Sequence, residues 1–208
     1  MTTAGRNATA VLVTVLAATL GGRVSAQEEP IAATDQPEAT IVLHVENHAS
    51  LPGDVMRGAK ARVAKIYEVI GVRIVWVDSN EAVRDRRDGR LHLTVVLLSD
   101  DMARKKMSAE RLKGKVVGQA HFFSGRAYIF CGRIAPMAGK PRFFAIPLGD
   151  VIAHEVGHLL LRENSHSQTG IMRRAVDMDA AHVQRFDTTQ AYAIRNRLTE
   201  LTAGATGR

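Results

Sequence analysis

The chain has 208 residues, of which 46% are hydrophobic and 24% are charged, and its formal net charge is +7. These proportions are typical of a globular protein and exclude collagen-like, coiled-coil and wholly disordered chains. A chain of this length can bury one hydrophobic core of useful size. The basic charge does not predict a nucleic-acid partner, because no block of Lys and Arg interleaved with aromatic residues accompanies it.

Residues 1–26 have the features of a signal peptide. Arg6 provides a basic start, Ala8 to Leu20 is a nearly unbroken small and apolar run, and Ala26 ends a small-residue cleavage site. The run is shorter than a membrane span of about 20 apolar residues. We therefore predict export, to the periplasm or out of the cell, with no stable membrane insertion after cleavage. An uncleaved anchor is the alternative.

The remaining chain is predicted to form a single domain. Residues 27–39 are acidic, contain proline and lack periodicity, which predicts a flexible leader. The domain is predicted to cover residues 40–201, with a frayed tail at 202–208. Cys131 is the only cysteine, so an intramolecular disulfide is impossible despite the predicted export. Core packing or a metal ion must hold the fold together.

Strand and helix patterns alternate in the first half of this domain. Thr40 to Glu46 alternates in the manner of a strand, and Gly53 to Ile70 has apolar residues at helical spacing, with Gly71 placed to end the helix. Apolar runs predict two further strands, at Val72 to Val77 and Leu91 to Leu98. A capped run predicts a short helix from Ser99 to about Met107. The charged stretch Asp78 to Arg90 is predicted to be a surface loop.

The second half places two strands before two helices. Val116 to Phe123 and Arg126 to Cys131 predict a hairpin, and a basic loop is predicted from Gly132 to Phe144. Helices are predicted from about Pro147 to Leu161 and from Thr188 to Leu201. Because the strands lead and the last helices trail, the predicted class is α+β.

The first of these two helices contains the HExxH motif His154-Glu155-Val156-Gly157-His158. Residues four apart lie about 40° apart around a helix and about 6 Å along it, so both imidazoles project toward one point. Two histidine ligands of one zinc ion require this arrangement. Glu155 lies one step round the helix, where its carboxylate can take a proton from a metal-bound water. The structural alternative is a histidine pair satisfied in the core or at the surface.

A catalytic zinc site needs a third protein ligand. His166 is the best candidate, because Arg162 to Ser165 can turn the chain back after the helix. Glu163 and a downstream acid, Asp177 or Asp179, are alternatives that the spacing leaves open.

The segment HEVGHLLLRENSHSQTGIM resembles the zinc signature of the metzincin metallopeptidases, HExxHxxGxxH followed by a methionine-containing turn. That resemblance implies that His154, His158 and His166 are ligands of one catalytic zinc ion. It further implies that Glu155 is the general base and Met172 the methionine of the turn. The pair GQAHFF and GRAYIF and the final DTTQAYAIRNRL resemble strands and a helix of the matrixins, one group of metzincins.

The segment also departs from the signature. His166 lies eight residues after His158, further along than in the family, and Leu161 stands where the family has glycine. The resemblance therefore implies a matrixin-like catalytic domain with a lengthened third-ligand loop.

The implied fold is a zincin or metzincin-like mixed twisted sheet of about four to five strands, with a long N-terminal helix, an HExxH helix and a C-terminal helix. The implied activity is that of a zinc metalloendopeptidase acting on a peptide or protein substrate. A non-catalytic zinc-containing module that binds a protein or wall component is the alternative. A zinc hydrolase acting on a non-peptide amide is a third possibility.

Overall fold

The computed structural model describes residues 39–78, 89–161, 165–174 and 183–205. At its centre lies a five-stranded mixed sheet in the order β2-β1-β3-β5-β4. The strands are β1 (Ala39–Asn47), β2 (Val72–Asp78), β3 (Leu91–Leu98), β4 (Gly118–His121) and β5 (Arg126–Phe130). The helices are α1 (Gly53–Glu68), α2 (Asp100–Ala109), the one-turn α3 (Cys131–Ile134), α4 (Ala145–Leu160) and α5 (Thr188–Ala205).

The sheet is covered on both faces, and the alternation of side chains along β3 shows how. Val95 belongs to the main core, which α1, α4 and α5 share. Its neighbour Val96 points the other way, into a smaller cluster with Ala103 of α2 and Phe130 of β5. Successive side chains of a strand face opposite sides, so a strand buried on both faces needs a continuous apolar run. This is why β3 is apolar along most of its length.

The edge of the sheet next to α4 is formed by β4. It pairs antiparallel with β5, whereas the pairs between β1, β2, β3 and β5 are parallel. Phe130 N–H donates to Val117 O at 2.9 Å, just before β4 begins. The backbone N–H and C=O groups of successive residues point to opposite sides of a strand. Those of Gly118 and Ala120 therefore point away from β5 and toward α4.

Two polar contacts attach α4 to α1 across the core. The guanidinium of Arg62 donates from Nε to Oδ1 of Asp150 at 2.7 Å and from Nη2 to Oδ2 at 3.1 Å. The Tyr67 hydroxyl donates to Ala153 O at 3.1 Å. Asp150 and Tyr67 are fully buried, so these bonds satisfy groups that would otherwise destabilise the core.

Within the described residues, one stretch is long and apolar enough to cross a membrane, Pro141–Leu160. Of this stretch, 72% is buried inside the fold, as in a core helix. Its apolar character therefore follows from its position beneath the sheet, where α4 contacts neighbours all round.

The α+β class and the mixed sheet are confirmed, and Gly71 adopts φ 72° just after α1, as expected of a helix terminator. The prediction of a basic loop at Gly132 to Phe144 was wrong in that the segment is mostly helical. Helical turns occupy most of it: α3, Ala135–Ala138 and Pro141–Phe143. Apolar side chains such as Ile134, which is fully buried, hold these turns against the core. Pattern reading missed them because they are too short to show helical periodicity.

Several element bounds also differ from prediction. The motif helix begins at Ala145, before Pro147, and α5 continues to Ala205. The hairpin strands are shorter than predicted, because Phe122–Ser124 form a helical turn and Cys131 begins α3. The predicted loop at Asp78 to Arg90 lies mostly outside the described residues.

Candidate metal centre

The two histidines of the motif lie side by side on α4. Their Nε2 atoms are 3.0 Å apart and their ring centroids 4.6 Å apart. His154 is buried and His158 is partly buried. The four-residue spacing on a regular helix is sufficient to bring them together.

The chain segment after α4 adds a third imidazole. The ring centroid of His166 lies 4.7 Å from that of His158 and 5.5 Å from that of His154. One ligand atom from each of the three rings lies within 4.8 Å of the others, and His166 is the exposed member. Of the described residues, these are the ones grouped closely enough to hold a metal ion.

Backbone and hydroxyl oxygens hold the two helix histidines in place. Nδ1 of His154 lies 2.7 Å from Ile171 O, and a carbonyl only accepts, so this nitrogen donates and Nε2 keeps its lone pair. Nδ1 of His158 lies 2.8 Å from the Ser165 hydroxyl. Bonds of this kind orient metal-ligating imidazoles and select their tautomer.

The N-terminus of α5 supports this arrangement in turn. The side-chain amide of Gln190 donates to Ser165 O at 3.0 Å. Gln190 and Asp187 exchange reciprocal bonds at the helix start: Gln190 N donates to Oδ1 of Asp187 and Asp187 N to Oε1 of Gln190. This capping box links the loop that carries His166 to a helix of the main core.

Met172 packs against the motif helix. It is fully buried, and its Sδ would lie 2.6 Å from a Cβ added at Gly157, inside the motif. A side chain at residue 157 would therefore displace the methionine. The sulfur packs directly against the backbone of α4 between His154 and His158.

Glu155 lies between α4 and the edge strand. Its side chain is buried, and a Cβ added at Gly118 would lie 2.6 Å from its Oε1. The missing side chain at residue 118 is what allows this close approach. Burial raises the pKa of Glu155 to about 8, and a hydrogen bond from the Ala120 N–H opposes the rise. A nearby cation would lower this pKa and favour the carboxylate.

The surroundings also lower the pKa values of the three imidazoles, which favours their neutral form. Burial lowers the pKa of His158 to about 3, helped by the charges of His154 and His166. Burial lowers the pKa of His154, and it lowers that of His166 with a contribution from Arg174. Neutral imidazole is the form that binds a metal ion.

The donor set fits a zinc ion. Tetrahedral zinc with Zn–N bonds of about 2.0–2.1 Å separates its ligand nitrogens by about 3.3 Å. The Nε2 atoms of His154 and His158, 3.0 Å apart, are close to that value. The described residues supply three imidazoles to this group, whereas a structural zinc site is closed by four protein ligands.

An open cleft of ≈ 1380 Å³ contains the three histidines and Glu155. Gly118 and Ala120 of β4 line one side of it, and Leu161 and Met137 also contribute. The edge strand therefore runs along the cleft past the histidines.

All five site residues predicted from the sequence lie at this centre: His154, Glu155, His158, His166 and Met172. The alternative ligands Glu163, Asp177 and Asp179 lie outside the described residues. The choice between His166 and these acids as third ligand, and the role of each site residue, therefore stay predictions.

Sequence reasoning missed two supporting residues of the site, Ser165 and Gln190. The Asp187-to-Gln190 spacing is a recognisable capping signal and could have indicated the role of Gln190 at the helix start, which was correctly predicted at Thr188. No local signal indicates that Ser165 contacts His158, because the contact depends on how the loop returns.

Comparison with solved structures finds the crystal structure of archaemetzincin from Methanopyrus kandleri. The two align with a TM-score of 0.52 and 12% sequence identity, over 79% of this chain and 98% of that one. The chain thus shares the overall fold of that archaemetzincin. No family model matches the sequence, and no curated protein is similar to it.

Proposed function

We propose that the chain is an exported zinc-dependent peptidase that hydrolyses peptide bonds, with His154, His158 and His166 as metal ligands and Glu155 as general base. The observation that carries this proposal is the convergence of the three imidazoles on one point, open to a cleft beside a buried carboxylate. The metzincin-related fold supports it independently.

A zinc ion held by the three histidines would supply a Lewis acid that polarises the scissile carbonyl and lowers the pKa of a coordinated water. Ile171 O and the Ser165 hydroxyl keep the Nδ1 side of His154 and His158 engaged, so that Nε2 faces the centre. Met172 packs against α4 at Gly157, between the two ligand positions.

Glu155 moves the proton. Its carboxylate accepts a proton from the attacking water and then delivers it to the amine that leaves, so the residue ends in its starting form. The Ala120 N–H holds the carboxylate at the rim of the cleft. The lack of a side chain at Gly118 leaves the room that the carboxylate occupies there.

The peptide would lie extended along β4. Gly118 and Ala120 direct backbone groups into the cleft, and an edge strand can pair with an added strand. Main-chain pairing of this kind would hold the scissile bond beside Glu155 without requiring a particular side chain.

The decisive test is the Glu155→Gln variant, digested with a broad peptide library with and without a chelator. We expect it to keep zinc and lose activity by about 10²–10⁴-fold, because only the proton acceptor is removed. Glu68→Gln, an exposed carboxylate of α1, is the matched control and keeps full activity. Undiminished hydrolysis by Glu155→Gln would exclude the mechanism.

The same digest separates the alternatives. A non-catalytic module of peptidase-like fold would contain zinc and bind peptides but cleave none of them. A hydrolase of non-peptide amides would also leave the library intact. Export is tested by sequencing the N-terminus of the protein recovered from outside the cytoplasm, where cleavage after Ala26 is expected.

A further inference from the structure

We infer that the cleft selects peptides with acidic residues on one side of the scissile bond; this inference rests on the proposed function. Four basic residues line the cleft: Lys113, Lys115, Arg174 and Arg197. Among the described residues that line the cleft, Glu155 is the acidic residue. Glu155 is buried, whereas Lys113, Lys115 and Arg174 are exposed.

The lysines stand at one end of the edge strand on an anchored loop. Lys113 and Lys115 are exposed and precede β4. Between them, Gly114 O accepts a hydrogen bond of 2.6 Å from Nη2 of Arg133. The loop is thereby tied to α3, so the lysines are presented to the cleft from a fixed backbone.

The arginines lie beside the third histidine and on the last helix. Arg174 is close enough to His166 for its charge to lower the pKa of that ring. Arg197 of α5 has a distant ion-pair partner on its own helix, Glu200 at 3.8 Å. Both arginines therefore add to the positive charge that the two lysines bring to the cleft.

The pairing of these side chains differs from that of lysines elsewhere. Lys60, Lys65 and Lys106 each have a carboxylate within 3.4 Å or less. Among the described residues, Lys113, Lys115 and Arg174 have none. Positive charges left without a counter-ion around a cleft attract anionic ligands and accelerate their association.

The opposite end of β4 has a different chemistry. Phe122 and Phe123 follow the strand, line the cleft and are 43% and 103% exposed. An extended peptide along β4 would thus contact lysines at one end and aromatic rings at the other. The matching substrate has acidic residues toward the lysine end and apolar residues toward the aromatic end.

The test measures binding without turnover, using the zinc-loaded full-length Glu155→Gln variant. Three fluorescent peptides share one apolar half, and their other half carries Asp, Asn or Lys. We expect the Asp peptide to bind about tenfold more tightly than the Asn peptide, and the Lys peptide most weakly, from two or three exposed charge contacts. Raising the salt concentration from about 0.05 to 0.5 M should remove most of the preference.

Variants assign the preference to the cleft. Replacing Lys113, Lys115 and Arg174 by Gln should bring the Asp and Asn peptides to equal affinity, whereas Lys105→Gln, an exposed lysine of α2, keeps the tenfold ratio. The Lys115→Gln single variant should lose part of the ratio. Thermal unfolding verifies that each variant is folded. Equal affinities for the three peptides, or a ratio unchanged by the triple replacement, would overturn the inference.

Metal-free wild-type protein is measured in parallel, because an Asp side chain could bind zinc directly. A preference that persists without zinc supports the basic cleft, and one that disappears refutes it.

The failure of this inference can be distinguished from the failure of the proposed function. Acid-selective binding with no hydrolysis by wild type would refute only the peptidase, and hydrolysis of all three peptides at equal rates with equal affinities would refute only the selectivity.

Discussion

Two polar sites lie one turn apart on the same buried helix, and they differ in how their polar atoms are satisfied. Asp150 of α4 is fully buried, and both its oxygens accept hydrogen bonds from Arg62. One turn later, His154 and His158 engage the protein through Nδ1, and their Nε2 atoms face each other.

The difference distinguishes a structural polar site from a functional one. The pair of Asp150 and Arg62 is complete within the chain, and it attaches α4 to α1. At the histidine site the two Nε2 atoms lie 3.0 Å apart beside the cleft and, among the described residues, contact only each other, an arrangement that a bound cation would satisfy. Changes at the first site should alter stability, and changes at the second should alter metal binding.

The largest expected effect is the loss of a metal ligand. Replacing His158 or His166 by Ala should each weaken zinc affinity by about 10³-fold or more. The free energy of zinc binding to a structural protein site is about 10–16 kcal/mol, and only a few ligands share it. Competition with a chelator of known affinity measures it, with His48→Ala as the exposed control. If His166→Ala retained zinc, an acid such as Glu163, Asp177 or Asp179 would be the third ligand.

The next effect is at the structural site. Asp150→Asn should lower the free energy of unfolding by about 3 kcal/mol, because it leaves the charge of Arg62 partly buried without its counter-ion. Urea unfolding of the metal-free protein measures this value. The exposed Asp54→Asn should change stability by only about 0.5 kcal/mol. A loss of zinc affinity in folded Asp150→Asn would contradict the separation of the two sites.

A smaller effect is expected where a residue orients a ligand without binding the metal. Ser165→Ala should weaken zinc affinity by about 10–100-fold, since the hydroxyl that holds His158 Nδ1 is removed. Ser108→Ala, on the exposed side of α2, is the control. Zinc affinity that does not change in Ser165→Ala would show that the hydroxyl does not orient the ring.

The smallest effect concerns pH and the metal-free protein. Burial lowers the pKa of His158 from 6.5 to about 3 in the folded chain. Between pH 6.5 and about 3, the imidazole of residue 158 binds a proton in the unfolded chain but not in the folded chain. The free energy of unfolding is therefore highest above pH 6.5 and decreases as the pH falls below it. Urea unfolding should show a decrease from pH of about 7.5 to 5, with a shallower decrease in His158→Gln. An equal slope in both proteins would assign the acid sensitivity to other groups.

Local patterns explain why much of this molecule could be predicted. Periodicity and backbone conformation, which depend on neighbours in sequence, predict the strands β1, β2 and β3, the helix α1 and the turn at Gly71 that follows it. The short helical turns between Cys131 and Phe143 could not be predicted, because contacts with the core stabilise them and they lack a period.

The candidate site divides in the same way. That His154 and His158 share one face of a helix was determined by the sequence alone, because four residues of helix advance nearly a full turn. Only the tertiary structure decided that His166 joins them, that Ser165 and Ile171 O orient them and that lysines line the cleft. Those neighbours depend on the path of the returning chain, which the packing of Met172 on Gly157 and the bond from Gln190 determine across distant parts of the sequence.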